Sequence, residues 1–102
     1  MEDLYRFAMA VEGHKLLDAA HTTTLITGKV DTPNGSKYAY GFGESDHAGM
    51  ACVGHGGGAP GMNGDLEICS GSGYIIAVLA NLDPPAAQRA SSFVAERLPL
   101  KQ

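Results

Sequence analysis

The sequence predicts an α+β fold, in which a small antiparallel sheet of three to four strands carries an N-terminal and a C-terminal helix. Apolar residues recur at helical spacing near both ends of the chain, whereas the runs between residues 37 and 82 alternate or are continuously apolar. Short turn sequences join those runs, which favours antiparallel pairing. No repeat or linker divides the chain, so we predict one domain over residues 1–102.

Two helices are predicted before the sheet. The first covers residues 3–12 and has its apolar face at i, i+3, i+4 and i+7. These positions are Leu4, Phe7, Ala8 and Val11. Gly13 is placed to end this helix, and Asp18 can cap a second, short helix over residues 19–26.

The first strands are predicted from a period of two. Residues 37–43 alternate aromatic and small side chains, which indicates a strand with one aromatic face. Its aromatic residues are Tyr38, Tyr40 and Phe42. Residues 44–49 are polar and typical of a turn, and residues 50–53 resume an extended run.

The C-terminal third predicts two more strands and the closing helix. Residues 65–69 alternate, residues 70–73 suit a tight turn, and residues 74–82 are nearly all apolar, as in a strand covered on both faces. Asp83 can cap a helix that Pro99 ends. The predicted buried face of that helix is Ala86, Ala90, Phe93, Val94 and Leu98.

Composition excludes several classes of partner. The net charge is −4, and lysine and arginine form no cluster, which argues against nucleic acid or an anionic membrane. No apolar run approaches a membrane span, and Glu2 and Asp3 do not suit a secretory signal. We expect no cofactor, because no cofactor-binding motif is present.

The cysteines and histidines give no metal-binding pattern. The histidines, His14, His21, His47 and His55, are scattered and none pairs with a cysteine at ligand spacing, so no metal is predicted. A hairpin centred near Pro60–Gly61 would pair residues whose numbers sum to about 121, which sets Cys52 opposite Cys69. We favour two reduced, buried cysteines and leave a cross-strand disulfide as the alternative.

The most unusual stretch is residues 54–64, which holds six glycines in eleven positions. It is either a flexible hairpin loop or a backbone surface that a ligand approaches closely. A phosphate-binding loop is excluded, because Met62 and Asn63 stand where that motif needs lysine and a hydroxyl residue. The His-Gly-Gly-Gly segment of α/β-hydrolases is excluded too, because no Gly-x-Ser-x-Gly follows it.

A third comparison covers nearly the whole chain. The chain contains, in this order, Tyr40-Gly41-Phe42-Gly43, Gly54-His55-Gly56-Gly57, Pro60-Gly61, an apolar strand that ends in Asn81, and a final helix. This succession resembles the C-terminal part of serine β-lactamase-family hydrolases. That family includes class C β-lactamases, D-alanyl-D-alanine carboxypeptidases and related esterases. The resemblance implies the C-terminal part of the β-lactamase and penicillin-binding-protein fold.

The resemblance also implies which residues form a site. His55, Gly56 and Gly57 take the place of the Lys-Thr-Gly motif, and the backbone N–H of Gly58 falls where the family stabilises an oxyanion. His55 would then replace the lysine that holds substrate or tunes proton transfer. The alternative for His55 is a histidine that only contributes to the strand.

The nucleophile motifs of that family are absent. No serine is followed by lysine at the third position, and no tyrosine or serine is followed by asparagine at the second. We therefore expect either a C-terminal portion of a hydrolase of amides or esters or a stand-alone relative that has lost the nucleophile. In both cases the chain is expected to be inactive alone and to meet a small-molecule or peptide substrate only with the missing N-terminal part. The alternative function is a non-catalytic binding module. The apolar edge of strand 74–82 lacks the N-terminal strand that pairs with it in the family, so we expect either self-association through this edge or replacement of that strand by a local segment.

Overall fold

The computed structural model describes residues 1–99 and has the predicted α+β class, with an open, six-stranded antiparallel sheet and three helices in that range. The helices are α1 (Glu2–Glu12), α2 (Ala19–Ile26) and α3 (Ala86–Ala95). The strands are β1 (Val30–Asp31), β2 (Lys37–Tyr38), β3 (Gly43–His47), β4 (Met50–Ala59), β5 (Met62–Cys69) and β6 (Tyr74–Ala80). The prediction of three to four strands is wrong, because it missed β1 and read β3 as a turn.

The sheet follows the order of the chain, from β1 at one edge to β6 at the other. One face packs on α1 and α2, where the buried cluster is Ala8, Ala39, Phe42, Leu66 and Ile68. The other face packs on α3, where the buried cluster is Met50, Cys52, Cys69, Ile76 and Ala95. Both faces of the long central strands are therefore covered over part of their length. In the described chain, no helix is long and apolar enough to cross a membrane.

Helices α1 and α2 form where the sequence predicts them. Asp18 caps α2, because its Oδ1 accepts from the backbone N–H of His21 at 2.8 Å. That hydrogen bond is the main reason why the pKa of the exposed Asp18 carboxyl lies below its ordinary value. In α1 only part of the predicted face is buried: Ala8 and Val11 are covered, whereas Phe7 is 43 % exposed.

Two tight turns fix the register of the central hairpins. Ala48 and Gly49 both have positive φ, 55° and 93°, as a type I′ turn between β3 and β4 requires. Gly61 has φ 80° in the turn between β4 and β5, a conformation that glycine adopts without steric cost. The predicted register is confirmed, since Val53 pairs with Ile68.

Cys52 and Cys69 form a disulfide, with their Cα atoms 4.1 Å apart. The expectation of two reduced cysteines is therefore wrong, and the alternative holds. The pattern of the sequence could place the two residues opposite each other but could not decide their oxidation. Both lie in the buried cluster under α3.

The predicted aromatic strand over residues 37–43 is wrong beyond Tyr38. Gly41 has φ 81°, and the backbone N–H of Ala39 donates to the carbonyl of Phe42 at 2.7 Å, so the chain reverses here. The reversal breaks the period of two: Phe42 is 8 % exposed and Tyr40 is 60 % exposed. The predicted common aromatic face does not form.

Residues 44–47 were predicted as a turn and instead form most of β3. Their polar side chains find partners within the fold. Ser45 donates from Oγ to Glu67 on β5 at 2.9 Å, and Asp46 accepts from the backbone N–H of Gly49 at 2.9 Å. A strand can carry polar residues where such partners exist, and local sequence does not show them.

Helix α3 forms as predicted but turns a different face inward. Ala87, Ser91 and Ala95 are buried, whereas Phe93 is 59 % exposed and Val94 is exposed. The predicted face is therefore wrong except near Leu98, which packs against the cluster under α3. Small side chains on the inner face let the helix lie close to the glycine-bearing part of the sheet. The predicted cap is also wrong, because Asp83 accepts from the backbone N–H of Gly61 at 2.6 Å.

Candidate functional site

The glycine-rich stretch, residues 54–64, is not a flexible loop: it forms the second half of β4, a two-residue turn and the start of β5. Strand β4 continues without interruption from Met50 to Ala59, and its residues His55, Gly57 and Ala59 pair with Leu66, Gly64 and Met62 of β5. Of the two interpretations of this stretch, the flexible loop is wrong. The sequence-predicted site residues, His55, Gly56, Gly57 and Gly58, lie side by side on one regular strand.

This half of β4 has one paired edge and one open edge. On the β3 side the last pair is Gly43 with Gly54, after which the chain of β3 turns away. Within residues 1–99, residues 55–59 therefore pair only with β5. An open strand edge presents backbone donors and acceptors to any group that approaches it.

The register identifies which backbone groups face that edge. In an antiparallel ladder, hydrogen-bonded and non-hydrogen-bonded pairs alternate, and a two-residue turn is closed by a hydrogen-bonded pair. The pair Ala59–Met62 closes the turn and is therefore hydrogen-bonded, so the alternate residues Gly57 and His55 also bond to β5. The residues between them, Gly56 and Gly58, direct their backbone N–H and C=O groups away from β5. Counting from the pair His47–Met50 on the other side gives the same phase, because Gly54 then bonds to Gly43.

The three consecutive glycines differ in whether the structure has room for a side chain at their positions. A Cβ at Gly56 would lie 2.3 Å from Nε2 of Gln88 on α3, and a Cβ at Gly58 would lie 2.6 Å from Cγ of Pro84. These two positions are glycine because the segment 84–88 packs on them. A Cβ at Gly57 would meet nothing within 4 Å. Packing therefore explains Gly56 and Gly58, whereas of the three only Gly57 has room for a side chain.

The open space beside Gly57 is a shallow hollow of about 270 Å³. Gly57 and Gly64 are paired and have no side chains to fill it, while Met62 and Leu79 border it with exposed apolar surface. A larger cavity of about 550 Å³ lies elsewhere, beside Ser45 and Cys52. Cavity size alone therefore does not single out the edge at Gly56 and Gly58.

Asn63 holds this part of the sheet to α3. Its side chain is 5 % exposed, its Oδ1 accepts from the backbone N–H of Ala87 at 2.6 Å, and its Nδ2 donates to the carbonyl of Gly57 at 2.8 Å. Both hydrogen bonds fix the position of the strand that carries the glycines. Sequence reasoning missed Asn63, because an asparagine beside a turn is ordinarily assigned to that turn.

His55 is exposed and lies on the opposite face of β4 from α3. Its ring contacts that of Tyr38 edge to face, with centroids 6.0 Å apart. In the described part of the chain, no carboxylate lies within ion-pair distance of the His55 imidazole. The exposed ring lies beside the open edge.

A second group of polar residues lies under α3, and sequence reasoning missed it. Ser45 and His47 of β3 meet Glu67 of β5 across Cys52 of β4, so residues from three strands converge. His47 Nε2 lies 3.8 Å from Glu67 Oε1, and these side chains are 11 % and 12 % exposed. Burial raises the pKa of the Glu67 carboxyl above its ordinary value, and the Asp65 charge acts in the same direction.

Comparisons with models of protein families, with curated proteins and with solved structures found no match to this chain.

Proposed function

We propose that the open edge of β4 at His55–Gly58 is the substrate-side wall of a serine β-lactamase-like hydrolase that acts on an amide or an ester. The observation that carries the proposal is the edge itself, where register directs the N–H and C=O of Gly56 and Gly58 away from β5. An extended acyl or peptidyl substrate adds to such an edge by strand addition.

The role of each residue follows from its place on the strand. Gly58 N–H donates to the oxygen that becomes negatively charged when the carbonyl is attacked. Gly56 holds the substrate backbone, and the hollow at Gly57 accepts a substrate side group against apolar surface. His55 contacts the substrate from beside the edge, as a neutral donor and acceptor or as a cation.

The sequence analysis expects substrate to be met only with an N-terminal part, but the open edge leads us to propose that the chain alone binds substrate. It is not proposed to turn substrate over, because it has neither Ser-x-x-Lys nor Tyr-x-Asn. A part that bears the nucleophile would have to face this wall. Large apolar side chains such as Met62 (61 % exposed), Leu79 (58 %) and Leu82 (62 %) supply surface for such a part.

The test is a titration of the ¹⁵N-labelled chain with an N-acylated D-alanyl-D-alanine peptide, followed through backbone amide shifts. Saturable shifts centred on Gly56 and Gly58 are expected, and N-methylation of the peptide amides should abolish them. Gly57→Ala should weaken binding, whereas its matched control, Gly71→Ala, should not, because a Cβ at Gly71 also meets nothing within 4 Å. Shifts that centre elsewhere, or none at millimolar peptide, would refute the proposal.

Turnover provides a second test. The isolated chain should not hydrolyse nitrocefin or p-nitrophenyl esters above background. Turnover that is lost in His55→Ala would show that the chain carries its own catalytic group, contrary to the proposal.

The second candidate is a non-catalytic binding module, which the outer edge of β6 favours. Within residues 1–99, β6 has a strand partner only in β5, and Leu79 on it is exposed. Such an edge pairs with another strand, including that of a second copy. Concentration-dependent association in sedimentation velocity, without any effect of the peptide ligand on the Gly56 and Gly58 amides, would favour this function over the first.

A further inference from the structure

The polar group under α3 contains the donor atoms of a transition-metal site. One ligand atom each from His47, Cys52 and Glu67 lie within 4.8 Å of one another. Imidazole nitrogen, sulfur and carboxylate oxygen form a mixed donor set that suits Zn²⁺, whereas Mg²⁺ and Ca²⁺ prefer oxygen alone.

A second observation also indicates a missing partner. His47 Nε2 is buried and has no hydrogen-bond partner, since the 3.8 Å to Glu67 Oε1 exceeds hydrogen-bonding distance. Two ligand atoms of one tetrahedral zinc ion lie about 3.4 Å apart, given bond lengths of about 2.0–2.2 Å. The observed separation therefore needs only a small side-chain adjustment to accept the ion.

Cys52 cannot bind a metal ion while it is part of the disulfide. Its sulfur is bonded to that of Cys69, and a metal ligand must be a thiolate.

We propose that reduction of the Cys52–Cys69 disulfide opens a zinc site formed by His47 Nε2, Cys52 Sγ and the Glu67 carboxylate, with water in the fourth position. The reductant is a phosphine or a dithiol. A phosphine breaks the S–S bond, takes oxygen from water to become its oxide, and leaves two protonated thiols. Zinc then binds neutral His47 and displaces the proton of the Cys52 thiol to solvent.

The chain offers a matched pair of variants for the test. Cys69→Ser and Cys52→Ser both remove the disulfide, and each keeps one cysteine, but only Cys69→Ser keeps the proposed ligand. His47→Asn removes a second proposed ligand. His21→Asn is the control for the loss of a histidine, because His21 is an exposed residue of α2, away from the proposed site. Binding of Zn²⁺ alone to chelator-stripped protein is measured by calorimetry. Co²⁺ then reports the thiolate ligand through its charge-transfer absorption.

The oxidised wild type should bind no zinc, and the phosphine-reduced wild type and Cys69→Ser should bind one equivalent. Cys52→Ser and His47→Asn should bind about tenfold more weakly or worse, and His21→Asn should behave as wild type. Equal affinity of the two serine variants, no binding after reduction, or no cobalt–thiolate absorption would overturn the proposal.

Loss of the disulfide could unfold the chain, so circular dichroism accompanies each titration. If Cys69→Ser is unfolded without metal, zinc should refold it, because binding to the folded state alone contributes to its stability. Zinc should not refold Cys52→Ser. A Cys69→Ser chain that stays unfolded in excess zinc counts against the site.

Discussion

The backbone N–H of Ala87, in the first turn of α3, donates to Oδ1 of Asn63 on β5 at 2.6 Å. The same amide group donates from Nδ2 to the carbonyl of Gly57 on β4 at 2.8 Å. One buried side chain thus joins the C-terminal helix to the strand that carries the candidate site.

Replacing Asn63 should therefore destabilise the whole protein. Asn63→Ala leaves the backbone N–H of buried Ala87 without its acceptor and removes the side-chain donor to the Gly57 carbonyl, which keeps its bond to β5. We expect a loss of about 2 kcal/mol in the free energy of unfolding. Asn63→Asp should also destabilise, because the carboxylate can accept from Ala87 but cannot donate to Gly57. Urea unfolding measures both, and exposed Asn81→Ala is the control, expected within about 0.5 kcal/mol of wild type. An equal effect of Asn63→Ala and Asn81→Ala would contradict the assigned role.

The three glycines should rank in their tolerance of alanine. Gly58→Ala meets the rigid ring of Pro84 at 2.6 Å and the carbonyl of Met62 at 2.9 Å, so we expect a loss of about 2–3 kcal/mol. Gly56→Ala meets the end of the Gln88 side chain, which can move, so its loss should be smaller. Gly57→Ala enters open space and should be neutral or slightly stabilising. Thermal unfolding tests the order, and a Gly57→Ala variant as unstable as Gly58→Ala would show that the space is not open.

Reduction of the Cys52–Cys69 disulfide should cost about 3 kcal/mol, since it releases a loop with a sequence separation of 17. Urea unfolding with and without a phosphine reductant, in the presence of a chelator, measures the cost. A Cys52→Ala, Cys69→Ala double variant should be insensitive to the reductant. A wild type whose unfolding midpoint does not move on reduction would mean that the bridge adds no stability or does not form.

Glu67 should make the stability of the metal-free, disulfide-bonded protein depend on pH. Burial is the main cause of its raised pKa, to which Asp65 adds, while the hydrogen bond from Ser45 and the electrostatic attraction of the nearby His47 act against it. The folded state therefore holds the proton longer than the unfolded state, and stability falls as pH rises above the ordinary value of 4.5 and through the folded pKa.

Glu67→Gln removes this titration. The variant should gain stability relative to wild type as the pH rises above about 4.5, and the difference should vanish at lower pH. Urea unfolding on both sides of that pH, with a chelator present, provides the measurement, and exposed Glu96→Gln is the control. A pH-independent difference between wild type and Glu67→Gln would show that the carboxyl acts through packing and not through its charge.

The sequence was sufficient where local chemistry decides the structure. The apolar spacing in α1, the Asp18 cap of α2 and the turn residues of the hairpins predict their elements because each signal acts within a few residues. The glycines also predict the register that sets Cys52 opposite Cys69, since a tight turn fixes the pairing of both its strands.

Tertiary contacts decided the rest, and the candidate site is the clearest case. Residues 54–64 are rich in glycine, yet they form strand and turn because β5 and α3 pack on them and Asn63 holds them in place. By sequence alone, His55, Gly56, Gly57 and Gly58 could be named as a site but not distinguished from one another. Which glycine is needed for packing and which has room for a side chain depends on side chains of residues 84–88, about thirty residues away in sequence. Three further features also depend on tertiary contacts: the inward face of α3, the polar strand β3 and the approach of His47 to Glu67. In each case the interacting residues are distant in sequence and are brought together only when the sheet folds.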